Sequence, residues 1–328
     1  MTQLYDVVGI GNAIVDVISQ TDDDFLDRMG ITKGIMQLVE RDEAEALYGA
    51  MSNRHQIAGG SVANTLAGLG ALGMSTGFIG RVRDDALGQF YVASMGDHGM
   101  AFVNDPVAAE LPTSRSMIFV TPDGERSMNT YLGVSAELGP EDVDAAVPGR
   151  AALLFLEGYL FDKEKGKQAF LTAARACREG GGKAGIALSD PFCVDRHRMD
   201  FRRLVGELDY VIGNEKEWIS LYETQDLEAA LGHAARDCGL VICTRSGEDV
   251  ILIRGGERVV VPVERVQPVD ATGAGDQFAA GFLYGIATGQ DLENAGRMGV
   301  LAAREVIGHY GARPEVDVRE LFREAGLK

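Results

Sequence analysis

The 328-residue chain carries 49 acidic against 31 basic side chains, a formal net charge of −18. Such a field repels nucleic acid and anionic membrane surfaces and excludes both as partners. Hydrophobic residues make up 46% and charged residues 24%, the balance of a globular protein with a substantial core, and no apolar run is long enough to span a membrane. The four cysteines (Cys177, Cys193, Cys238, Cys243) have no metal-type spacing and read as free thiols of a reducing cytoplasm. The opening Met1-Thr2-Gln3-Leu4-Tyr5-Asp6 has neither a basic segment nor a long apolar run and does not read as a signal peptide.

In chain order, Leu4 to Ile10 reads as a buried strand ending in Gly11-Asn12. Ile14 stands where a dinucleotide fingerprint needs its third glycine, so a Rossmann dehydrogenase is rejected. An extended segment, Ala13 to Ile18, carries Asp16 in its middle. A short acidic helix spans Asp22 to Met29 and closes at Gly30. Ile35 to Val39 is a short strand, and Arg41 to Met51 a helix. Ser61 reads as the N-cap of a helix whose Val62, Leu66 and Leu69 face inward. Thr76 to Ile79 is a strand and Ala86 to His98 a helix. Ser114 to Thr121 and Ser127 to Leu132 form a hairpin around Pro122-Asp123-Gly124.

Strand and helix then alternate: Ala152 to Leu156, Lys163 to Glu179, Ala184 to Leu188, a helical stretch near Arg196 to Glu207, Tyr210 to Ile212, and Glu215 to Tyr222. Leu240 to Cys243 leads to a hairpin through Gly255-Gly256, and Leu292 to Ile307 reads as the last helix. The alternation predicts a doubly wound α/β fold, a mostly parallel sheet with helices on both faces. The early extended segments and the hairpin break the rhythm and predict a separate small sheet.

The chemistry centres on Asp270-Ala271-Thr272-Gly273-Ala274-Gly275-Asp276. It follows the strand-like Arg258 to Val263 and precedes a helix, Gln277 to Thr288, whose Phe278, Phe282 and Ile286 share a face. A glycine-rich turn opening into a helix offers free N–H groups and the positive end of the helix dipole, an anion site. Asp276 beside a bound phosphate would be repelled unless the chemistry needs a base for an attacking hydroxyl. Its plainer reading is a favourable acid in a first helical turn.

Residues 270–276, together with Gly59-Gly60-Ser61-Val62-Ala63-Asn64 running into Gly73, resemble the two signatures of the PfkB (ribokinase-like) family of small-molecule kinases. The resemblance implies a single ribokinase-like kinase domain over residues 1–328. It also implies a small β-sheet lid from about 12–40 and 100–133. The implied cofactors are ATP and Mg²⁺, with K⁺ as a candidate activator, and the implied assembly is a monomer or homodimer. Asp276 becomes the general base, with Gly273, Ala274, Gly275 and Arg126 offsetting the charge of the transferring group. Asn12, Asp16, Gly59, Gly60 and Asn64 would hold the acceptor. An ionised Asp16 can accept two hydrogen bonds, which suits a vicinal diol. Asn214, Thr244, Ser246 and Thr272 would flank the nucleotide phosphates. Glu217 would act on Mg²⁺ indirectly, and Asn214 with Glu217 is equally a helix capping pair.

Within the family the likeness is to adenosine kinases and their nucleoside-kinase relatives. It runs through Gly9 to Asp16, Asp24 to Asp27, Ala58 to Ser61, Gly213 to Glu215 and the tail Gly311-Ala-Arg-Pro-Glu315. It implies a nucleoside acceptor, adenosine favoured, with its base among Ile14, Met36, Leu38, Tyr159 and Phe192. Ala271 replaces the threonine usual in the family, removing a hydroxyl near the phosphates or a monovalent-cation site. Met36 replaces a polar residue usual in adenosine kinases. The alternatives are a ribose or ketohexose kinase of the same fold and a non-catalytic nucleoside- or ATP-binding protein.

Overall fold

The structure is a computed structural model and describes residues 3–97 and 99–327. In chain order its strands are β1 (Tyr5–Ile10), β2 (Ile14–Gln20), β3 (Met36–Leu38), β4 (His55–Gly59), β5 (Thr76–Ile79), β6 (Met100–Phe102), β7 (Ser114–Val120), β8 (Arg126–Tyr131), β9 (Ala151–Glu157), β10 (Lys183–Ala187), β11 (Tyr210–Asn214), β12 (Val241–Arg245), β13 (Glu248–Arg254) and β14 (Glu257–Val261). Nine of them make one sheet in the order β14-β13-β12-β11-β10-β9-β1-β5-β6. From β6 to β12 neighbours are parallel, and the β12-β13-β14 end is antiparallel.

The two faces of this sheet carry separate cores. β1 shows why: its side chains alternate, Val7 joining one cluster with Leu66, Phe78 and Phe282, and Val8 and Ile10 joining the other with Leu154, Phe170 and Trp218. The doubly wound arrangement read from the sequence is therefore present. β1 feeds one half of the sheet and β9 the other, so the strand order reverses between them. In open α/β sheets ligands bind outside the carboxyl ends of the strands at such a switch point.

The other five strands form a small sheet in the order β3-β8-β7-β2-β4. It includes His55–Gly59, which the sequence does not announce, because its residues are mostly exposed and do not alternate. Met100–Phe102, expected with the small sheet, instead pairs with β5 at the edge of the large one. Register carries one row across the small sheet: Leu38, Thr130, Ser116, Asp16 and Ile57 are successive partners and share a face. The Ser116 and Thr130 hydroxyls meet at 2.8 Å on that face.

Other expectations shift locally. Gly60, at φ 101°, is the N-cap of helix Ser61–Ala71, and Ser61 is its first residue, its hydroxyl used elsewhere. Leu292–Val306 is not the last helix, because Val318–Glu324 follows and packs Phe322 onto Met298. The helix expected to reach His98 is found over Ala86–Asp97; His98 and the opening Met1 and Thr2 lie outside the described residues. Helix Ala274–Ala287 packs on Leu292–Val306 so closely that a Cβ on Gly281 would sit 2.4 Å from the Met298 carbonyl oxygen. No helix among the described residues is long and apolar enough to cross a membrane.

Candidate active site

Helix Ala274–Ala287 begins in the glycine loop. Gly273 is its N-cap in the left-handed region, φ 79°, and a Cβ there would lie 2.6 Å from Ala312 Cα, so only glycine fits. First-turn amides have no intrahelical partner. That of Ala274 turns back onto the Ala271 carbonyl at 3.2 Å, which leaves the helix mouth to the residues after it. Asp276 sits in that first turn and faces the start of helix Ser61–Ala71. Ser61 Oγ donates to its Oδ1 at 2.6 Å and Asn64 Nδ2 to its Oδ2 at 3.1 Å. Burial pushes the carboxyl up to about 6, against the pull of those two hydrogen bonds.

The loop's first acid is equally constrained. Asp270 Oδ1 accepts from Thr272 N at 2.9 Å and from Thr272 Oγ1 at 2.6 Å. Its Oδ2 accepts from Gly311 N at 3.1 Å and pairs with Arg126 Nη1 at 2.7 Å. The hydrogen bonds and Arg126 hold its carboxyl below the usual range in spite of burial, which is the largest influence and acts upward. Arg126, the first residue of β8, thus crosses from the small sheet to the glycine loop. Its Nε is buried without a hydrogen-bond partner. With its acceptor positions filled, Asp270 offers nothing to a monovalent cation while Arg126 is in place.

Between the small sheet and the glycine loop lies a cavity of about 1350 Å³, lined among others by Asp16, Ile57, Asn64, Arg126, Thr272 and Arg313. Ala58 lines it, and Gly59 and Gly60 follow Ala58 in the chain. A Cβ on Gly59 would lie 2.4 Å from Asp16 Oδ2, so glycine there makes room for the carboxylate. Burial raises the Asp16 carboxyl to about 7, while the charges of Arg126 and Arg313 work against that and Asp276 adds to it.

The structure distributes the remaining candidates more widely. Asn12 is 2% exposed and faces protein on both sides: its Nδ2 donates to Glu157 Oε1 at 2.7 Å and its Oδ1 accepts from Ser135 Oγ at 2.9 Å. It braces the strand-order reversal behind the cavity. None of Ile14, Met36, Leu38, Tyr159 and Phe192 lines the cavity. Met36 and Leu38 lie on the far strand of the small sheet, on Asp16's face but three strands away, roughly 14 Å. The Tyr159 hydroxyl donates to the Ser189 carbonyl at 3.2 Å, and Phe192 is 73% exposed at the start of helix Pro191–Arg196.

Asn214 and Thr244 are register partners at the carboxyl ends of β11 and β12, with Ser246 just beyond in the left-handed region, φ 55°. Asn214 and Glu217 form a complete capping box: Asn214 N and Nδ2 reach Glu217 Oε2 and Oε1, each at 2.7 Å, and Glu217 N reaches Asn214 Oδ1 at 3.0 Å. Glu217 is buried, its carboxyl raised to about 8, and turned wholly onto Asn214. Among the described residues no group of three or more His, Cys, Asp or Glu side chains could hold a metal. With Asp270 and Glu217 taken up by protein partners, a Mg²⁺ ion here would have to arrive on nucleotide phosphates and keep its waters.

Several contributors carry no signal of their own in the sequence. Ser61 looks like a cap and is a partner of Asp276. Glu157, 1% exposed, accepts from Asn12 N at 3.2 Å and Val62 N at 3.3 Å, tying β1 and helix Ser61–Ala71 to the end of β9. Arg313, from the loop after Leu292–Val306, enters the cavity beside Asn64.

The chain's relatives agree with this geometry. The family model described as pfkB family carbohydrate kinase matches residues 27–319. The crystal structure of a probable sugar kinase from Rhizobium etli CFN 42 superposes with a TM-score of 0.91 at 44% identity, covering 100% of both chains. That of adenosine kinase from Sinorhizobium meliloti gives 0.89 at 46% identity over 98% of this chain and 99% of the other. A fructokinase of Escherichia coli is 28% identical over 236 residues, 70% of this chain and 77% of that enzyme. With its doubly wound ribokinase-like fold and its glycine loop before an acid, the chain belongs to the pfkB family of carbohydrate kinases and is an ATP-dependent kinase of small molecules.

Proposed function

We propose that the chain transfers the γ-phosphoryl group of ATP to the 5′-hydroxyl of a purine nucleoside, adenosine foremost. The observation that carries this reading is Asp276, held by Ser61 and by Asn64 at a helix mouth, where Asn64 lines a cavity whose other wall presents Asp16. With a carboxyl near 6, Asp276 is largely ionised at neutral pH and can take the proton of an attacking hydroxyl. Asp16, which in its ionised form can accept two hydrogen bonds, suits the ribose diol. The likeness to the Sinorhizobium meliloti adenosine kinase favours a nucleoside.

ATP supplies the phosphoryl group, and the Mg²⁺ it carries offsets phosphate charge. The chain's own part is positioning and electrostatics. The amides at the mouth of Ala274–Ala287 receive phosphate oxygens. The unpartnered Nε of Arg126 is a buried donor that such an oxygen satisfies, which adds a charge-assisted bond where charge develops. Asn214 and Thr244, at the ends of β11 and β12, flank the nucleotide, with Glu217 acting on Mg²⁺ only through Asn214 or water. The small sheet acts as the lid, with Arg126 as the contact it makes on the loop, and closure keeps water from the γ-phosphorus. The four buried thiols suit the reducing cytoplasm.

A second reading is a sugar kinase of the same fold. Its support is the cavity's polar outer rim of Gln20, Asn53, Arg54 and His55, and the likeness to the Rhizobium etli protein. The deciding experiment measures ADP release with Mg-ATP against adenosine, inosine, guanosine, ribose and fructose. Turnover on a nucleoside, lost in Asp276→Asn, supports the first reading. Turnover on a free sugar alone supports the second.

A further inference from the structure

Arg313 has no part in the chemistry above, yet it stands one residue behind the base. Its Nη2 donates to the Ala58 carbonyl, and its Nε points at Asn64 Oδ1, 3.4 Å away. Asn64 in turn gives its Nδ2 to Asp276 Oδ2 at 3.1 Å. The chemistry of the three groups allows one arrangement only. A guanidinium has donors and no acceptor, and an ionised carboxylate has acceptors and no donor. An amide between them must turn its oxygen to the arginine and its nitrogen to the aspartate. With the guanidinium gone, either face of the amide can meet Asp276, and the wrong face sets two oxygens against each other.

The loop that carries Arg313 is anchored for this task. Gly311 N donates to Asp270 Oδ2 at 3.1 Å. Gln277 Nε2 donates both to the Ala312 carbonyl at 2.9 Å and to the Asn64 carbonyl at 3.0 Å. The backbone just before the arginine is thus tied to the glycine loop and to Gln277, whose amide also reaches the helix that bears Asn64. Its side chain bridges to Ala58 in β4, next to Gly59-Gly60.

We propose that Arg313 is a positioning residue, which fixes the Asn64 amide so that Asn64 holds the Asp276 carboxylate toward the acceptor hydroxyl. The inference rests on Asp276 being the base. Arg313 also lines the cavity beside Asp16, so a direct contact with the acceptor is the competing role, and the test separates the two.

Arg313→Met, Arg313→Gln and Asp276→Asn are compared with the parent enzyme by steady-state kinetics in both substrates and by thermal melting. Positioning predicts that Arg313→Met melts like the parent and loses kcat roughly 10- to 100-fold, as misplacement of a reacting group does, while KM for acceptor and ATP stays put. Arg313→Gln, which can still donate to Asn64 Oδ1, recovers most of that loss. A methionine variant with raised acceptor KM and unchanged kcat overturns the proposal, since that is the mark of a substrate contact. Should the methionine variant fail to fold, Arg313→Lys is set against Arg313→Gln: glutamine equal or better supports positioning, and lysine alone active overturns it. If Asp276→Asn keeps its turnover, the base assignment fails. If that variant is dead and Arg313→Met is unimpaired, only the role of Arg313 fails.

Discussion

The two walls of the cleft are built on different principles. The loop wall, from Asp270 to Asp276, is specified by neighbours in the chain: Thr272 closes onto Asp270, Ala274 onto Ala271, and a left-handed Gly273 starts the helix. The small-sheet wall is specified by register between distant strands. Asp16 faces the cavity because β2 pairs with β4 on one side and β7 on the other. A wall made by local backbone geometry tolerates little change in any residue. A wall made by register tolerates changes of side chain and answers by altering what it accepts. Substitutions on the first wall should therefore act on kcat and on the second on acceptor KM.

The hardest test of this contrast is Asp276→Asn, for which we expect kcat to fall by roughly 10²–10⁴, the range for loss of a general base. Single-turnover measurements with near-normal rates would remove Asp276 from the chemistry. Next is Arg126→Gln: Arg126 stands on β8 but reaches across to Asp270, so it acts with the loop wall, and the substitution takes a charge from the transferring group and releases Asp270. A loss of about 10²–10³ in kcat is expected by analogy with removing one preorganised donor. A pure KM effect would reassign Arg126 to binding.

On the register wall, Ile57→Ala should raise acceptor KM by roughly tenfold, the scale of a lost apolar contact, with kcat little changed. An equal effect of Leu38→Ala would move the base of the acceptor out to the edge strand. A subtler effect concerns Glu157, whose carboxyl burial raises from 4.5 to about 7. A carboxyl raised on folding stabilises most below its unfolded value, and that contribution is lost as pH rises through the folded one. Stability should therefore fall between about pH 5 and 8, with a slope of at most about 1.4 kcal/mol for each step of one in pH, and melting temperature should follow it down. Glu157→Gln should flatten the profile, and an unchanged slope would clear Glu157. The smallest effect is expected from exchanging K⁺ for tetramethylammonium. With Arg126 on Asp270, turnover should not change, and strict K⁺ dependence would show that Arg126 leaves Asp270 during the cycle.

The same contrast governs what the sequence discloses. The alternation of strand and helix, the hairpin at Pro122-Asp123-Gly124 and the glycine loop all rest on local periodicity or backbone need, and all are present. His55–Gly59 escapes notice because its partner β2 lies far off in the chain and its own residues lack alternation. Helix Leu227–Asp237 also goes unannounced, although Asp226 caps it. Phe192 and Tyr159 look like walls of a base pocket as residue types, but only the packing around them decides where such rings point. Ser61, Glu157 and Arg313 serve the site through partners some 100 to 250 positions away.

That separation has a temporal consequence. The proposed base is at position 276, its hydrogen-bond partners are at 61 and 64, and the loop that braces them ends beyond 313. Domains fold as they emerge from the ribosome, N-terminal parts first. Here the early segments can settle into sheet and helix, but the cleft cannot be completed until almost the whole polypeptide has been made. A nascent chain therefore has no assembled means of hydrolysing ATP, and a message truncated before the final loop yields a product that is silent rather than wasteful.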